Sequence, residues 1–161
     1  VIEKMTVSFG VDGMAGGQGL DLKGDDLDPE INKEEYLIKT HLLKTGCVLQ
    51  SCVDLPALLA NADPDVTKTL HAFGKHLGLL FQIVDDILDV IGSKESLGKS
   101  PNKDEAQNKL TYISLYGLET SIKKAEDEYQ SAIELLDQLK NNFDTSHLNE
   151  IIKLVIDQIK R

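Results

Sequence analysis

Val66-Thr67-Lys68-Thr69-Leu70-His71-Ala72-Phe73-Gly74-Lys75-His76-Leu77-Gly78-Leu79-Leu80-Phe81-Gln82-Ile83-Val84-Asp85-Asp86-Ile87-Leu88-Asp89-Val90-Ile91 decides how this chain folds. Val66, Leu70, Phe73, Leu77, Leu80, Val84, Ile87 and Ile91 recur at alternating spacings of four and three. At roughly 100° per residue all of them lie within about 60° of Val84, so they form one face of a long helix. Asn61-Ala62-Asp63-Pro64 supplies the start, an Asp cap before a proline in the first turn. Gly92 is expected to end it.

The same reading extends outward in both directions. Val1 to Ser8 reads as the inside of an element, and with Val1 in place of an initiator methionine it leads us to expect further chain upstream. The glycine-dense run Gly13 to Gly19 permits close backbone approach or a break. It lacks the preceding strand and the glycine spacing of a dinucleotide-binding turn. Asp28 is expected to cap a helix opening on Pro29 and carrying Ile31, Leu37, Ile38, Leu42 and Val48 towards Leu59, with Gly46 a break and Pro56 a kink. Ser93 to Asn108 reads as a polar loop. Helical patterns resume at Leu110–Leu118, continue through Ile122–Leu139, and return after Asp144-Thr145-Ser146 with Leu148, Ile151, Ile152, Val155 and Ile159. The last two helices read as amphipathic cover. With no strand-like alternation, repeat or low-complexity run, the expected fold class is all-α, one domain over residues 1–161.

Composition narrows the functional classes. A net charge of −10 and a pI near 4.8 repel nucleic-acid phosphates and anionic lipid, so any phosphate site must be local. No apolar run approaches the ~18 residues of a membrane span, and membrane insertion is not expected. Cys47 and Cys52 match neither a CxxC metal pair nor a redox pair, and they read as buried helix residues of a reduced, cytoplasmic protein.

Three carboxylates stand among apolar residues near the end of the long helix. Gly78, Gln82, Asp85 and Asp89 fall at about 100° to 160° from Val84, a polar stripe beside the apolar one. Asp85 and Asp89, one turn apart, repel each other when both are ionised, and a cation reverses that sign. Hard oxygen ligands without His or Cys favour Mg²⁺, which keeps waters and shares substrate phosphates. The implied ligand is a magnesium diphosphate. Lys44, Lys99 and Lys109 supply cations, and Thr45 a hydroxyl, for its oxygens. A solvated acidic face is the plain alternative, and each lysine taken alone reads as surface charge.

Phe81-Gln82-Ile83-Val84-Asp85-Asp86-Ile87-Leu88-Asp89 resembles the second aspartate-rich motif, FQxxDDxxD, of trans-isoprenyl diphosphate synthases. Gly16-Gly17-Gln18 with Asp21-Leu22 resembles the family's GGQ…DL segment, and Lys44-Thr45-Gly46 its KTG segment. Gly98-Lys99 and Asn108-Lys109-Leu110-Thr111-Tyr112 resemble its GK and NKxTY segments. The matches run in the family's order over nearly the whole chain, and are closest to bacterial farnesyl diphosphate synthases. The first aspartate-rich motif, with its arginines and chain-length determinants, is absent from these residues and is expected upstream of Val1.

The resemblance implies a helical bundle, usually dimeric, that condenses an allylic diphosphate with isopentenyl diphosphate. Carried over position by position, it implies metal contact by Asp85, with Asp86 and Asp89 acting through waters or as secondary ligands. Lys44, Lys99 and Lys109 are expected to hold the allylic diphosphate. Thr45 and Gln82 lend oxygens near the developing cation, Gln18 lies by the hydrocarbon path, and Phe81 faces the homoallylic substrate. Of the rivals, a terpene cyclase normally mixes Asn, Ser or Thr, and Glu in its second metal motif. A noncatalytic interaction module or regulatory subunit needs only the acidic face and amphipathic helices. With one aspartate-rich motif of two, the chain alone is expected to be inactive in prenyl transfer.

Overall fold

The computed structural model describes residues 1–24, 27–92 and 109–160, together with the backbone course of 93–96. Seven α-helices follow one another among the described residues: α1 Ile2–Phe9, α2 Met14–Lys23, α3 Lys33–His41, α4 Cys47–Leu59, α5 Pro64–Ser96, α6 Tyr112–Leu139 and α7 Ser146–Ile156. A π-helical turn, Leu42–Gly46, joins α3 to α4, and a 3₁₀ turn, Asp157–Lys160, follows α7. No strand occurs among the described residues, so the fold is all-α as expected.

The long helix forms where the periodicity places it and for the expected reason. Asp63 Oδ1 accepts the Asp65 N–H at 2.9 Å, closing the first turn. Phe73, Leu80 and Ile87 are fully buried, with Ile83 and Val84 nearly so. Each such side chain contributes about 1.5–3 kcal/mol by leaving water. Helix α6 covers this face with Ala125, Ala132 and Leu136, and α7 closes the end of the core with Ile152 and Ile156. Helix α6 is two rods rather than one, because Gly117 takes φ +75° and ψ 168° between Leu118 and the first turn. Its start is a capping box, with the Thr111 hydroxyl accepting from Ser114 N–H and the Ser114 hydroxyl accepting from Thr111 N–H.

Several boundaries differ from the sequence reading. Asp28 does not cap a helix; its carboxylate accepts the Glu30 N–H at 3.0 Å within an isolated turn. The cap is Asn32, whose Oδ1 accepts from Glu34 and Glu35 N–H, and α3 starts at Lys33. Gly92 does not stop α5, which runs on to Ser96 because a lone glycine only weakens a helix. Neither Gly46 nor Pro56 breaks the Lys33–Leu59 path: the first lies in the π turn, the second inside α4. That continuous path of 27 residues is, by length and composition, long and apolar enough to cross a membrane, against the expectation that no run approaches a span. It packs against α2 and α5, with 22 % of its most apolar window buried. Cys52 is exposed, not buried. Cys47 is half-buried; its thiol donates to the Leu43 carbonyl at 2.7 Å, and burial pushes its pKa up.

Candidate functional site

Helix α5 presents the polar stripe in two parts. At its lower end Gly78 lies against the backbone of Gly46, where a Cβ would stand 2.5 Å from the Gly46 Cα. Gln82, one turn on, is buried at 7 % exposure. Asp85 and Asp89, further along, are exposed and make no hydrogen bond or ion pair among the described residues. The stripe therefore starts as a helix contact and ends as an open acidic edge.

Asp86 points elsewhere. Its Oδ2 accepts the Tyr112 backbone N–H at 2.8 Å, at the first turn of α6. Burial pushes its carboxyl up to about 6; the Tyr112 N–H and the Lys109 charge act downward, while Asp85 and Asp89 act upward. A carboxyl whose ionisation is opposed first by burial and then by two like charges gains by facing a cation. No group of three or more His, Cys, Asp or Glu residues placed to hold a metal ion by itself occurs among the described residues. Asp85 and Asp89, without hydrogen-bond or ion-pair partners among the described residues, beside a desolvated Asp86 fit Mg²⁺, which takes few protein ligands and completes its shell with water and phosphate.

The second half of the site is built around the π turn. Gly17 of α2 lies against the Leu43–Lys44 backbone, where any Cβ would collide with Lys44 N. With Gly78 against Gly46, glycines clamp the turn from both sides, and the wider turn projects Lys44 and Thr45 from between two helices. The glycine-dense run opens at the break between α1 and α2, where Gly13 is the non-helical cap, and continues as a helix whose Gly17 permits close approach. Lys44 Nζ pairs with Asp21 Oδ2 at 2.7 Å, and Lys109 Nζ lies 3.8 Å from Asp21 Oδ1. The two lysines, distant in sequence, converge on one carboxylate of α2. Gln18 and Phe81 are exposed, Thr45 is half-buried, and Lys99 lies outside the described residues.

Asp21 and His41 were not singled out from the sequence as site residues. Their signal was available in spacing: Asp21 follows Gln18 by three residues, and His41 precedes Lys44 by three, each a same-face helical interval. His41 is 4 % exposed, its ring centroid 5.6 Å from that of Tyr112. Burial drives its pKa down to about 4, with Asp21 opposing and Lys44 and Lys109 assisting, so its ring is neutral near pH 7. Its Nδ1 and the Thr40 hydroxyl are buried without hydrogen-bond partners among the described residues.

The sequence profile described as "Polyprenyl synthetase" matches residues 5–155. The chain belongs to the polyprenyl synthetase family. Its similarity to dimethylallyltranstransferase of Fischerella ambigua is 41 % identity over 132 residues, covering 82 % of this chain and 38 % of that protein. Farnesyl diphosphate synthase of Escherichia coli K12 is 35 % identical over 162 residues, covering 99 % of this chain and 53 % of that protein. A crystal structure of Helicobacter pylori geranyltransferase, complexed with magnesium and isoprenyl diphosphate, superposes with a TM-score of 0.75 at 28 % identity. That alignment covers 98 % of this chain and 50 % of the other. The chain thus spans from about two-fifths to about half the length of these relatives. Family and fold agree: the polyprenyl synthetase bundle is all-helical, and the family is one of prenyltransferases.

Proposed function

We propose that these 161 residues hold the diphosphate-binding side of a trans-prenyltransferase that joins an allylic diphosphate, dimethylallyl or geranyl, to isopentenyl diphosphate, with farnesyl diphosphate as product. The observation that carries the reading is the convergence of Lys44 and Lys109 on one point. Asp86 feels the Lys109 charge, and Asp85 and Asp89 of the same helix stand exposed as an acidic edge suited to Mg²⁺. The run of motifs in order supports the prenyl transfer, and relatives named farnesyl diphosphate synthase support the farnesyl product, alongside others named for geranylgeranyl diphosphate.

Asp85, Asp86 and Asp89 would hold Mg²⁺, which when bound offsets the charge that builds on the departing diphosphate. Lys44, Lys109 and Lys99 would bind and orient that diphosphate for loss of its allylic carbon. Thr45 and Gln82 turn neutral oxygens towards the carbon end, where a carboxylate would capture the cation. Gln18 and Phe81 border the hydrocarbon and homoallylic positions. His41, neutral beneath the lysines, adds no competing charge.

A homodimer is part of the proposal and has support in α1. Lys4 and Ser8 of that helix turn inward to Asp54 and Ser51, at 2.7 Å each. Ile2, Met5 and Phe9, at i, i+3 and i+7, are left exposed as an outer apolar stripe. A second copy would cover it.

Calorimetric titration of inorganic pyrophosphate with and without Mg²⁺ tests the site. Asp85→Ala is expected to abolish most of the gain in affinity that Mg²⁺ brings, whereas Asp137→Ala, on exposed α6 surface, leaves it intact. Equal effects of the two substitutions would refute the metal assignment. The 161 residues alone are expected to bind magnesium diphosphate without turning over geranyl and isopentenyl diphosphates, measured by product chromatography.

A further inference from the structure

Asp21 stands where a bound anion would compete for the same cations. Its Oδ2 takes Lys44 at 2.7 Å and its Oδ1 faces Lys109 at 3.8 Å, so each carboxylate oxygen addresses a different lysine. The side chain is 15 % exposed and its helix cannot easily swing away. Gly17, one turn earlier, is seated on the π turn, and the Tyr36 hydroxyl donates to the Leu20 carbonyl at 2.7 Å. Two lysine charges less one carboxylate leave a single net positive charge.

We propose that Asp21 is a specificity-determining residue, which makes Lys44 and Lys109 accept a magnesium-charged diphosphate and refuse a metal-free one. The inference rests on reading those lysines as diphosphate ligands. A metal-free diphosphate brings several negative charges to a place already holding one, and like charges at this range in a partly desolvated site repel strongly. Magnesium removes most of that repulsion, and the aspartate edge of α5 receives the metal. The fixed carboxylate therefore costs affinity chiefly when the metal is missing. It also holds the lysine side chains extended towards each other before any ligand arrives.

The experiment is calorimetric titration of the 161-residue chain with inorganic pyrophosphate, once in excess Mg²⁺ and once in chelator. Asp21→Asn keeps the shape and removes the charge; Asp21→Ser is a second variant should the first fold poorly, folding being checked by circular dichroism. The expected result is metal-free affinity raised by at least about tenfold in either variant, with the affinity in Mg²⁺ changed by less than about threefold. Metal-free affinity unchanged or weakened would overturn the proposal, making Asp21 only a scaffold for the lysines. If the parent shows no pyrophosphate binding in Mg²⁺, or Lys44→Gln binds as tightly as the parent, the reading of the lysines fails, and the proposal falls with it.

Discussion

Burial pushes the Asp86 carboxyl up to about 6 and drives the His41 imidazole down to about 4, and the two shifts act on stability in opposite directions. Between its ordinary value and about 6, Asp86 binds more protons folded than unfolded, so its contribution weakens as pH rises and leaves a cost of about 3 kcal/mol above the window. His41 binds fewer protons folded than unfolded between about 4 and 6.5, so stability is lost as pH falls through that range. In chelator, Asp86→Asn should therefore exceed the parent in stability by about 1–3 kcal/mol at pH 7.5, with the gap closing towards pH 4. Urea denaturation at several pH values measures it, and a gap independent of pH would remove Asp86 as the cause. His41→Phe should show the reverse trend, gaining on the parent as pH drops from 6.5 to 4, whatever its offset at neutral pH. The three aspartates were legible from the sequence because spacing along one helix is local. Which of them turns inward to the Tyr112 N–H was not, because that depends on where α6 starts in space.

At the scale of elements, the close contacts at the π turn explain why Lys44 and Thr45 project into the site. Two glycines of α2, two residues apart, make a paired test. A Cβ on Gly17 would strike the Lys44 backbone, whereas a Cβ on Gly19 would meet nothing within 4 Å. Gly17→Ala is expected to cost about 1–3 kcal/mol by overpacking and to weaken pyrophosphate binding. Gly19→Ala should stabilise by about 0.5–1 kcal/mol through helix propensity and leave binding alone. Thermal unfolding and the same calorimetric titration distinguish them, and equal effects would show that α2 is not seated by Gly17. The glycines read from sequence as permitting either close backbone approach or a break, since glycine is the same letter in a turn and in a tight helix contact, and Gly17 takes the first role. Asp28 was a similar trap: it has the chemistry of a cap, but the acceptor that receives helical N–H groups is Asn32, four residues on.

Across the whole molecule, α1 is anchored by polar contacts and apolar outside. Asp54, with its side chain at 1 % exposure, accepts from Lys4 at 2.7 Å and pairs with His71 at 2.8 Å, tying α1, α4 and α5 together. Asp54→Ala is expected to cost about 1–3 kcal/mol and to loosen α1, read as faster hydrogen exchange over residues 2–9. Ile2, Met5 and Phe9 leave an apolar stripe that should drive concentration-dependent association. Sedimentation equilibrium checks this: Ile2→Lys with Met5→Lys should shift the chain towards monomer, and no shift would place the contact elsewhere. What the sequence by itself determined was the all-helical class, the course of α5 and the order of the family motifs, because helical period and motif spacing are read along a single chain. Only the tertiary structure decided that Lys44 and Lys109 meet at Asp21, that Gln82 is buried while Asp85 is not, and that Asp86 and His41 titrate far from their usual values. Pairing and desolvation depend on which helix faces cover one another, and no local period along the chain carries that information.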